Sequence, residues 1–404
     1  MTAGAVPVRV MIVHPRDLAA PTSGGIQTFL HDFVKFAPAD FEITLAGVTL
    51  DQRARPIGRP TRVAIDGRAA TMLPLGPAGR LPANPVAWLR MAIAQVRLRR
   101  RLLDRHAIVQ IHRPFRAIVL AGQRGPRVQF VHLDLETWPG PAGWPRLGRL
   151  YRPFSDPALE RMARVYVVSE RGAHVLSEAH PRLGERIEFL PVWHDPAVFR
   201  APARDERETA RAGLAARLGL PGGGDDVKLV LLAGRIDDGK DPLLALGAIA
   251  RLPAAVHLLI AGDGELRGAV ESRIAELGLG SRVHLLGDVA RDGLATLMRA
   301  TDCLLLTSHS EGGGPRVVVE ALASGLPVVA TDVGEVRRTV SDGVNGRVVG
   351  AHEEQPLAEA LAWTLAQPRD ALAAAAAAAA AAYTAERVLG PLYATYRRLV
   401  GETR

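Results

Sequence analysis

The chain has almost none of the residues that build disulfide or multi-cysteine metal sites. Its 404 residues include a single cysteine, Cys303, which excludes an intramolecular disulfide and a cysteine-rich zinc site. Cys303 lies in an apolar run, so we interpret it as a buried structural thiol rather than a nucleophile. No stretch reaches the roughly 20 apolar residues that span a bilayer, and the first residues do not resemble a secretion signal. We therefore expect a cytoplasmic protein.

Lysine is scarce, and the charge is unevenly distributed. The lysines are Lys35, Lys228 and Lys240, and arginine supplies the remaining basic residues. Residues 1–200 contain 28 basic and 16 acidic side chains, a net charge of +12, whereas the remainder has a net charge of −4. This asymmetry favours an anionic partner for the first half. The alternative, that arginine is simply scattered over the surface, stays open.

Short apolar runs alternate with amphipathic helical patterns in both halves, which is typical of parallel strands covered on both faces. The rhythm breaks in a Pro- and Gly-rich segment at 201–226 and restarts at Lys228. The sequence predicts an α/β fold with two Rossmann-like domains, 1–200 and 201–385. Ligands of such sheets bind at the carboxyl ends of the strands, and we expect the site in a cleft between the domains.

The chain also carries three segments with a distinctive composition. Residues 86–105 form a basic amphipathic pattern, which predicts a helix. The alanine run at 373–382 predicts a helix without chemistry of its own. The tail 386–400 contains Gly390-Pro391, which predicts two helical pieces; we expect the tail 386–404 to pack back on the first domain.

The first candidate site follows the predicted strand 228–233. Residues 234–240 nearly spell a phosphate-binding loop, but Asp241 stands where a Ser or Thr would hold magnesium. The sequence therefore argues against an NTPase. Arg235 and Lys240 remain as two cations at the mouth of a parallel sheet, and this arrangement suits a diphosphate. The alternative is a solvated loop.

The second candidate site follows the predicted strand 303–307. Its glycines, 312–314, allow a ligand to approach the backbone closely. Pro315 suits the first turn of a helix, and the N–H groups beyond it would form an anion site. Glu320 lies on that helix, where a carboxylate can accept hydrogen bonds from sugar hydroxyls. The alternative is a flexible turn with a surface charge.

Three weaker signals complete the set. Gly24 and Gly25 lie at the first strand–helix turn, where such pairs are common. Residues 262–268 are a near match to a dinucleotide fingerprint, with the third glycine one place late. His132 ends a predicted strand and is a candidate sugar or acid–base contact, or a structural histidine. No serine triad and no closely spaced set of metal ligands is apparent.

With these residues in hand, the chain resembles the retaining glycosyltransferases of family 4, which have the GT-B fold. The most specific stretch is SEGGGPRVVVEALASGLPVVATDVGEVRRTVSDGVNGRVV. Also similar are LLAGRIDDGKDPLLAL, LLIAGDGELR, RVHLLGDV and, in the first half, SGGIQTFLHDF. The resemblance implies two doubly wound Rossmann-like domains that face each other across a cleft, and a nucleotide-sugar donor bound by the second.

The resemblance also implies roles for single residues of the second half. Arg235 and Lys240 would hold the donor diphosphate and stabilise the leaving nucleotide. Glu320 matches the second glutamate of a Glu-x7-Glu motif and would bind the ribose. Eight residues, not seven, separate Glu311 from Glu320. Glu311 is therefore the candidate contact to the donor hexose only if the loop carries one extra residue; otherwise Gly312 takes that place.

Further correspondences follow from the same resemblance. The backbone from Gly313 and Gly314 to Arg316 would hold phosphate. Gly24 and Gly25 match the glycine loop of the first domain, and His132 matches its strand-end histidine. The family's Asn-Gly-Val-Asp near the hinge is replaced by residues 192–195, which keep only Asp195.

As a function, the resemblance implies transfer of a sugar from a UDP- or GDP-sugar to an acceptor hydroxyl with retention, without a metal or other cofactor. The acceptor would be a carbohydrate or lipid-linked precursor, and no nucleic-acid partner is expected. The basic helix 86–105 favours docking on the anionic inner face of the membrane. Two alternatives stay open: a nucleotide-sugar 2-epimerase and a non-catalytic nucleotide-sugar-binding protein.

Overall fold

The chain divides into two compact units. A computed structural model describes residues 7–14, 16–20, 25–77, 108–112, 125–132, 156–220 and 227–402. One unit is Met1–Pro191 with Glu386–Arg404, and the other is Val192–Ala385. The second unit begins ahead of residue 201 because Phe199 is fully buried among the apolar side chains of the second sheet. The helix expected at 86–105 lies outside the described residues.

The first unit is built on an eight-stranded sheet with the order β3-β4-β2-β1-β5-β6-β7-β8. Neighbouring strands are parallel except β3 and β4, which are antiparallel. Most residues of its central strands β1, β2, β5 and β6 are buried, as is typical of parallel sheets. The strands are β1 Val8–Val13, β2 Phe41–Thr49, β3 Thr61–Ile65, β4 Arg68–Pro77, β5 Ile108–Ile111, β6 Arg127–Val131, β7 Arg164–Val167 and β8 Ile187–Phe189.

The hairpin formed by β3 and β4 was not predicted, although the sequence carries a signal for it. Ile65 pairs with Arg68 across a two-residue turn. The turn residues Asp66 and Gly67 have φ values of +47° and +80°, as the favoured turn of a tight hairpin requires. Asp-Gly between two short β-rich runs is the usual mark of such a turn.

The second unit is built on a six-stranded parallel sheet with the order β11-β10-β9-β12-β13-β14. This is the order of a doubly wound dinucleotide-type sheet. The strand order reverses between β9 and β12, so the crevice at their carboxyl ends is where such a sheet binds its ligand. The strands are β9 Lys228–Ala233, β10 Val256–Ala261, β11 Val283–Gly287, β12 Cys303–Leu306, β13 Val328–Thr331 and β14 Gly346–Val349.

Helices flank both sheets, and two apolar layers cover the faces of the second. The alanine run 373–382 lies mostly in helix α10, Arg369–Ala380, as predicted, and ends in a 3-10 turn at Ala381–Tyr383. The helices are α1 Gly25–Lys35, α2 Glu170–Ala179, α3 Arg204–Leu218, α4 Pro242–Ala250, α5 Arg267–Glu276, α6 Arg291–Ala300, α7 Arg316–Ala323, α8 Val336–Thr339, α9 Glu354–Ala366, α10 Arg369–Ala380 and α11 Ala385–Glu402.

The prediction of two helical pieces in the tail was wrong, because α11 continues through Pro391. A proline inside a helix costs about 3 kcal/mol, and packing on the first unit offsets that cost. Tyr393 and Tyr396 are buried. The hydroxyl of Tyr393 donates to the carbonyl of Phe33 at 2.7 Å, which anchors the helix beside α1.

A buried ion-pair network ties α3 to the second sheet. The carboxylate of Asp302 accepts from Arg207 at 2.8 Å, from Arg211 at 3.0 Å and from the backbone N–H of Leu229 at 2.8 Å. Arg211 is buried and also donates to the carbonyls of Ala300 and Val227. The network fixes the start of β9 and β12, at the edge of the sheet opposite their carboxyl ends.

Among the described residues, no helix is both long and apolar enough to cross a membrane.

Candidate functional site

Two loops meet at the carboxyl edge of the second sheet, one at 234–241 after β9 and one at 307–315 after β12. The backbone N–H of His309 donates to the carbonyl of Gly239 at 3.0 Å. The hydroxyl of Thr307 donates to the carbonyl of Lys240 at 2.8 Å. These bonds join the two candidate sites of the sequence into one.

Lys240 and Glu311 form an ion pair at the centre of this edge. The side chains are 23% and 15% exposed, so water screens their attraction only in part. The hydroxyl of Ser308 donates to the same carboxylate oxygen of Glu311 at 2.7 Å. The ammonium is thereby held beside the glycine loop, where an arriving phosphate could exchange for the carboxylate as its partner.

The loop at 307–315 accommodates the one extra residue between Glu311 and Glu320. Glu311, rather than Gly312, is the residue beside Lys240. Ser308, which donates to Glu311, is itself held by the hydroxyl of Thr331, which donates to the carbonyl of Ser308 at 2.7 Å. The longer loop therefore still presents a carboxylate at the edge of the sheet.

Arg235 lies in the same loop but faces another carboxylate. Its side chain is 76% exposed and pairs with Asp237 at 2.7 Å. Asp237 also caps the 3-10 turn Asp238–Lys240: its side chain accepts from the backbone N–H of Lys240 at 3.1 Å. Arg235 is thus tethered at the rim of the site, where its exposed guanidinium can turn toward an anion.

The loop at 234–241 does not have the geometry of an NTPase phosphate loop. Asp241 caps helix α4, and its side chain accepts from the backbone N–H of Leu244 at 3.1 Å. A carboxylate thus occupies the helix terminus where a phosphate-binding loop would hold its anion. This supports the interpretation of Arg235 and Lys240 as separate cations.

Helix α7 points its N-terminus into the site. Pro315 is its N-cap and provides no side-chain hydrogen bond to the first turn. The side chain of Pro315 has no hydrogen-bond acceptor, so it cannot cap the backbone N–H groups at the start of the helix. An uncapped helix start of this kind attracts negative charge.

Glu320 is a buried carboxylate rather than a surface charge. It is paired with Arg316 one turn earlier on α7, at 3.0 Å, and is 8% exposed. The guanidinium of Arg316 also lies 5.6 Å from the centre of the Trp193 ring. The alternative interpretation of Glu320 as a solvated residue is therefore wrong.

Gly334 is a part of the site that sequence reasoning missed. Its φ is +52°, and a Cβ there would overlap the carbonyl oxygen of Gly313 and lie 2.9 Å from the Cβ of Glu311. The backbone N–H of Glu335 donates to the same carbonyl at 3.3 Å. Only a glycine lets the segment after β13 support the glycine loop this closely.

The near match to a dinucleotide fingerprint at 262–268 has a packing role. A Cβ on Gly262 would overlap the carbonyl of Gly234, and one on Gly264 would overlap the carbonyl of Ile236. Backbone bonds join the same segments, with the N–H of Ile236 donating to the carbonyl of Asp263 at 3.0 Å. These glycines allow the loop that carries Lys240 to pack against its neighbour.

In the first unit, His132 ends a chain of buried hydrogen bonds. The hydroxyl of Tyr396 donates to Gln110 at 2.9 Å. With its amide oriented in this way, Gln110 donates to Nε2 of His112 at 2.7 Å. His112 must then carry its proton on Nδ1 and donate to Nε2 of His132 at 2.8 Å. This chain fixes the ring of His132 and leaves its own proton on Nδ1.

Burial keeps His112 uncharged. Loss of water around His112 lowers its pKa well below the usual range, and the neighbouring His132 and His14 lower it further. The ring of Phe29 contacts that of His132 edge-on, with 5.0 Å between centroids. The ring of His132 is therefore held in one orientation just after β6.

The remaining candidates are placed as follows. Gly25 starts α1, and a Cβ there would meet nothing within 4 Å; Gly24 lies outside the described residues. Asp195 is fully buried and accepts from the backbone N–H of Ala197 at 3.0 Å, so it shapes a turn. Cys303 is buried, and burial raises its pKa, in agreement with the interpretation as a structural thiol.

Comparison with known proteins adds independent information. Residues 222–382 match the family model described as glycosyl transferases group 1. The D-inositol 3-phosphate glycosyltransferase of Mycobacterium tuberculosis strain H37Rv is 37% identical over 248 residues, which cover 59% of this chain and 49% of that protein. The chain spans about half the length of the curated relatives it matches.

Two solved structures resemble the chain over nearly its whole length. Sucrose-phosphate synthase from Thermosynechococcus elongatus has a TM-score of 0.80 at 20% identity, covering 98% of this chain and 100% of its own. The Anabaena protein HepE, solved in complex with UDP, has a TM-score of 0.73 at 18% identity, covering 97% and 100%. At these identities the likeness establishes the fold.

Proposed function

Since residues 222–382 match the model of the group 1 glycosyltransferase family and the chain has the GT-B fold, we propose that it transfers a sugar from a nucleotide-diphosphate sugar to an acceptor hydroxyl, with retention of anomeric configuration. The observation that supports this most is the meeting of Lys240, Glu311 and the start of α7 at one edge of the second sheet. The cation suits the phosphate of such a donor, and the carboxylate suits the hydroxyls of its sugar. The helix terminus suits the negative charge that develops on the leaving group.

The diphosphate is held by positive charge from three sources. Lys240 exchanges Glu311 for a phosphate oxygen, and Arg235 turns from Asp237 toward the same group. The backbone of Gly313, Gly314 and Arg316 offers N–H donors at the start of α7. These groups stabilise the charge that builds up on the leaving nucleotide.

The two glutamates bind hydroxyl groups. Glu311, once its partner Lys240 turns to the phosphate, accepts hydrogen bonds from the donor sugar. Glu320 accepts from the ribose of the nucleotide, and Arg316 holds its carboxylate in place at 3.0 Å. A carboxylate that is already oriented loses little conformational freedom when it binds.

The chemical step breaks the bond between the anomeric carbon and the diphosphate oxygen, and its electron pair leaves with the diphosphate. The acceptor oxygen forms the new bond on the same face, and its proton passes to the departing phosphate oxygen. The transition state is cationic at the sugar and anionic at the phosphate, so preorganised cations lower its free energy. That the reaction needs no metal stays a prediction.

We assign acceptor binding to the first unit, with Gly24, Gly25 and His132 as its candidate contacts. His132 offers a positioned ring whose orientation is set by His112 at 2.8 Å. An imidazole ring held in this way can hydrogen-bond a sugar hydroxyl. UDP is the first donor nucleotide to test, because the HepE structure was solved with it; GDP is the second.

The test is release of nucleoside diphosphate from a panel of UDP- and GDP-sugars, with the anomeric configuration of the product read by NMR. Lys240→Ala is expected to lower kcat by about 10²-fold or more, as loss of a transition-state charge contact does. Lys228→Ala is the matched control, because Lys228 is exposed at the start of β9. Equal rates for the two variants would remove Lys240 from the mechanism.

The same assay distinguishes the alternatives. An epimerase would release nucleotide or change the sugar without any acceptor, and a non-catalytic protein would bind donor without turning it over. The membrane hypothesis rests on the positive charge of the first half and needs its own test. Vesicles rich in anionic lipid should sediment the protein at low salt, and failure to do so would contradict docking on a membrane.

A further inference from the structure

Three side chains from three different loops meet beside the Lys240–Glu311 pair. Asp241 follows β9, His309 follows β12 and His352 follows β14. One ligand atom from each lies within 4.8 Å of the other two. All three loops leave the carboxyl edge of the same sheet, so the fold and not a local motif assembles this group.

The distances suit a small metal ion. Oδ2 of Asp241 lies 3.2 Å from Nε2 of His309 and 2.9 Å from Nε2 of His352. Ligand atoms about 2.0–2.1 Å from a tetrahedral zinc ion lie roughly 3.3 Å from one another. The two rings are stacked with centroids 4.0 Å apart. Since their side chains are 49% and 31% exposed, each can rotate to direct Nε2 at a shared ion.

Asp241 is held in the conformation that such a site needs. Its φ of +41° is left-handed, and among the described non-glycine residues only Asp66, in the tight hairpin, shares this feature. One carboxylate oxygen is fixed as the cap of α4 by the N–H of Leu244 at 3.1 Å. The other oxygen is the one that both histidines approach. Hydrogen bonds of this kind orient the ligands of metal sites.

We infer that Asp241, His309 and His352 bind a divalent transition-metal ion, with Zn²⁺ as the preferred occupant. Imidazole nitrogens with one carboxylate oxygen suit zinc and its neighbours, whereas Mg²⁺ and Ca²⁺ prefer oxygen ligands throughout. Three protein ligands leave a fourth position for water. The ion would fasten the loops that carry Lys240 and Glu311. It is not a reagent of the proposed transfer, and the inference does not rest on that transfer.

The chain supplies a matched control. His257 and His284 also stack, with centroids 5.4 Å apart and ring nitrogens 3.1 Å apart. Among the described residues, they do not join a carboxylate in a group of metal-capable side chains. Two histidines without an acidic partner should bind zinc more weakly than the proposed site.

The experiment is a Zn²⁺ titration of the metal-stripped chain in competition with a colorimetric chelator, repeated with Co²⁺ to read coordination from its visible absorption. The wild-type chain should bind one equivalent that His309→Ala and His352→Ala each weaken by about 10–100-fold or more. His257→Ala and His284→Ala should leave that equivalent unchanged. Circular dichroism of each variant checks that it is folded.

Asp241→Asn guards against a folding artefact. Asparagine also caps helices and tolerates a left-handed φ, so the fold should persist while zinc affinity falls. The inference is overturned if the double variant of His309 and His352 binds zinc as the wild type does. It is equally overturned if the wild-type chain binds no Zn²⁺ with a Kd below about 0.1 mM, which would leave the three residues as a hydrogen-bonded cluster only.

Discussion

Replacing Gly334 by alanine probes how the site is held together. The new Cβ would overlap the carbonyl oxygen of Gly313 and lie 2.9 Å from the Cβ of Glu311 and 3.1 Å from its carbonyl. Most of these are backbone atoms, which cannot rotate away as a side chain can. The glycine loop must therefore move, and Glu311 moves with it.

A control variant separates the cost of the steric overlap from the cost of placing an alanine at a positive φ. Gly334 and Gly343 have φ values of +52° and +77°, so alanine at either one costs about 1–2 kcal/mol. A Cβ on Gly343 meets nothing within 4 Å. The difference between the variants is the overlap alone, which should cost about 1–3 kcal/mol more at Gly334.

The assay measures the free energy of unfolding by urea and the affinity for nucleoside diphosphate by calorimetry. Gly334→Ala should be less stable than Gly343→Ala by that difference and should lose about tenfold or more in affinity, which corresponds to about 1.4 kcal/mol. Gly343→Ala should bind nucleotide as the wild type does. Equal stability and equal affinity in the two variants would refute the reasoning.

Two further predictions concern stability. Asp302→Ala should lower the free energy of unfolding by about 3–5 kcal/mol, because it leaves the buried Arg211 without its carboxylate; a loss under about 1 kcal/mol in urea unfolding would contradict this. Stability should also fall as the pH drops below about 6.5, because burial lowers the folded-state pKa of His112 and His194 while the unfolded chain still takes up protons there. Urea unfolding from pH 8 to pH 5 measures the slope, and a flat profile would count against it.

Most strands of the second sheet could be predicted from sequence because each is a continuous apolar run. The predicted strand 228–233 has the bounds of β9, and the predicted strand 303–307 runs one residue past the end of β12, whereas β14 was not predicted. The tail was harder, since Gly390-Pro391 argues locally for a break. Helix α11 continues through Pro391 because Tyr393 and Tyr396 pack on distant parts of the first unit. Such packing between distant residues leaves no pattern in the local sequence.

The candidate site was partly predictable for the same reason. Lys240 stood out by its residue type and its place after a strand. Glu311 was a candidate only through the family resemblance, and the sequence left the extra loop residue unresolved. Only the fold shows that Glu311 meets Lys240. Gly334 was missed because its role depends on a carbonyl of Gly313 that comes from another loop.

The group of Asp241, His309 and His352 could not be predicted from the sequence. Metal motifs are recognised by short spacings, whereas these ligands come from three loops that are separated by whole strands and helices. Sequence analysis therefore found no metal-ligand set. The parallel sheet brings them together because the carboxyl ends of all its strands meet at one edge.

The central claim is that a nucleoside diphosphate binds at the carboxyl edge of the second sheet through Lys240. The most direct test is thermal unfolding with UDP, GDP and the matching nucleosides, in the presence of EDTA. At about 100 times its Kd, one diphosphate should stabilise the protein by about 2.7 kcal/mol, a rise in Tm of about 5–10 °C. Lys240→Ala should lose most of this rise and Lys228→Ala should keep it. No rise with either diphosphate, or an equal rise in Lys240→Ala, would contradict the account.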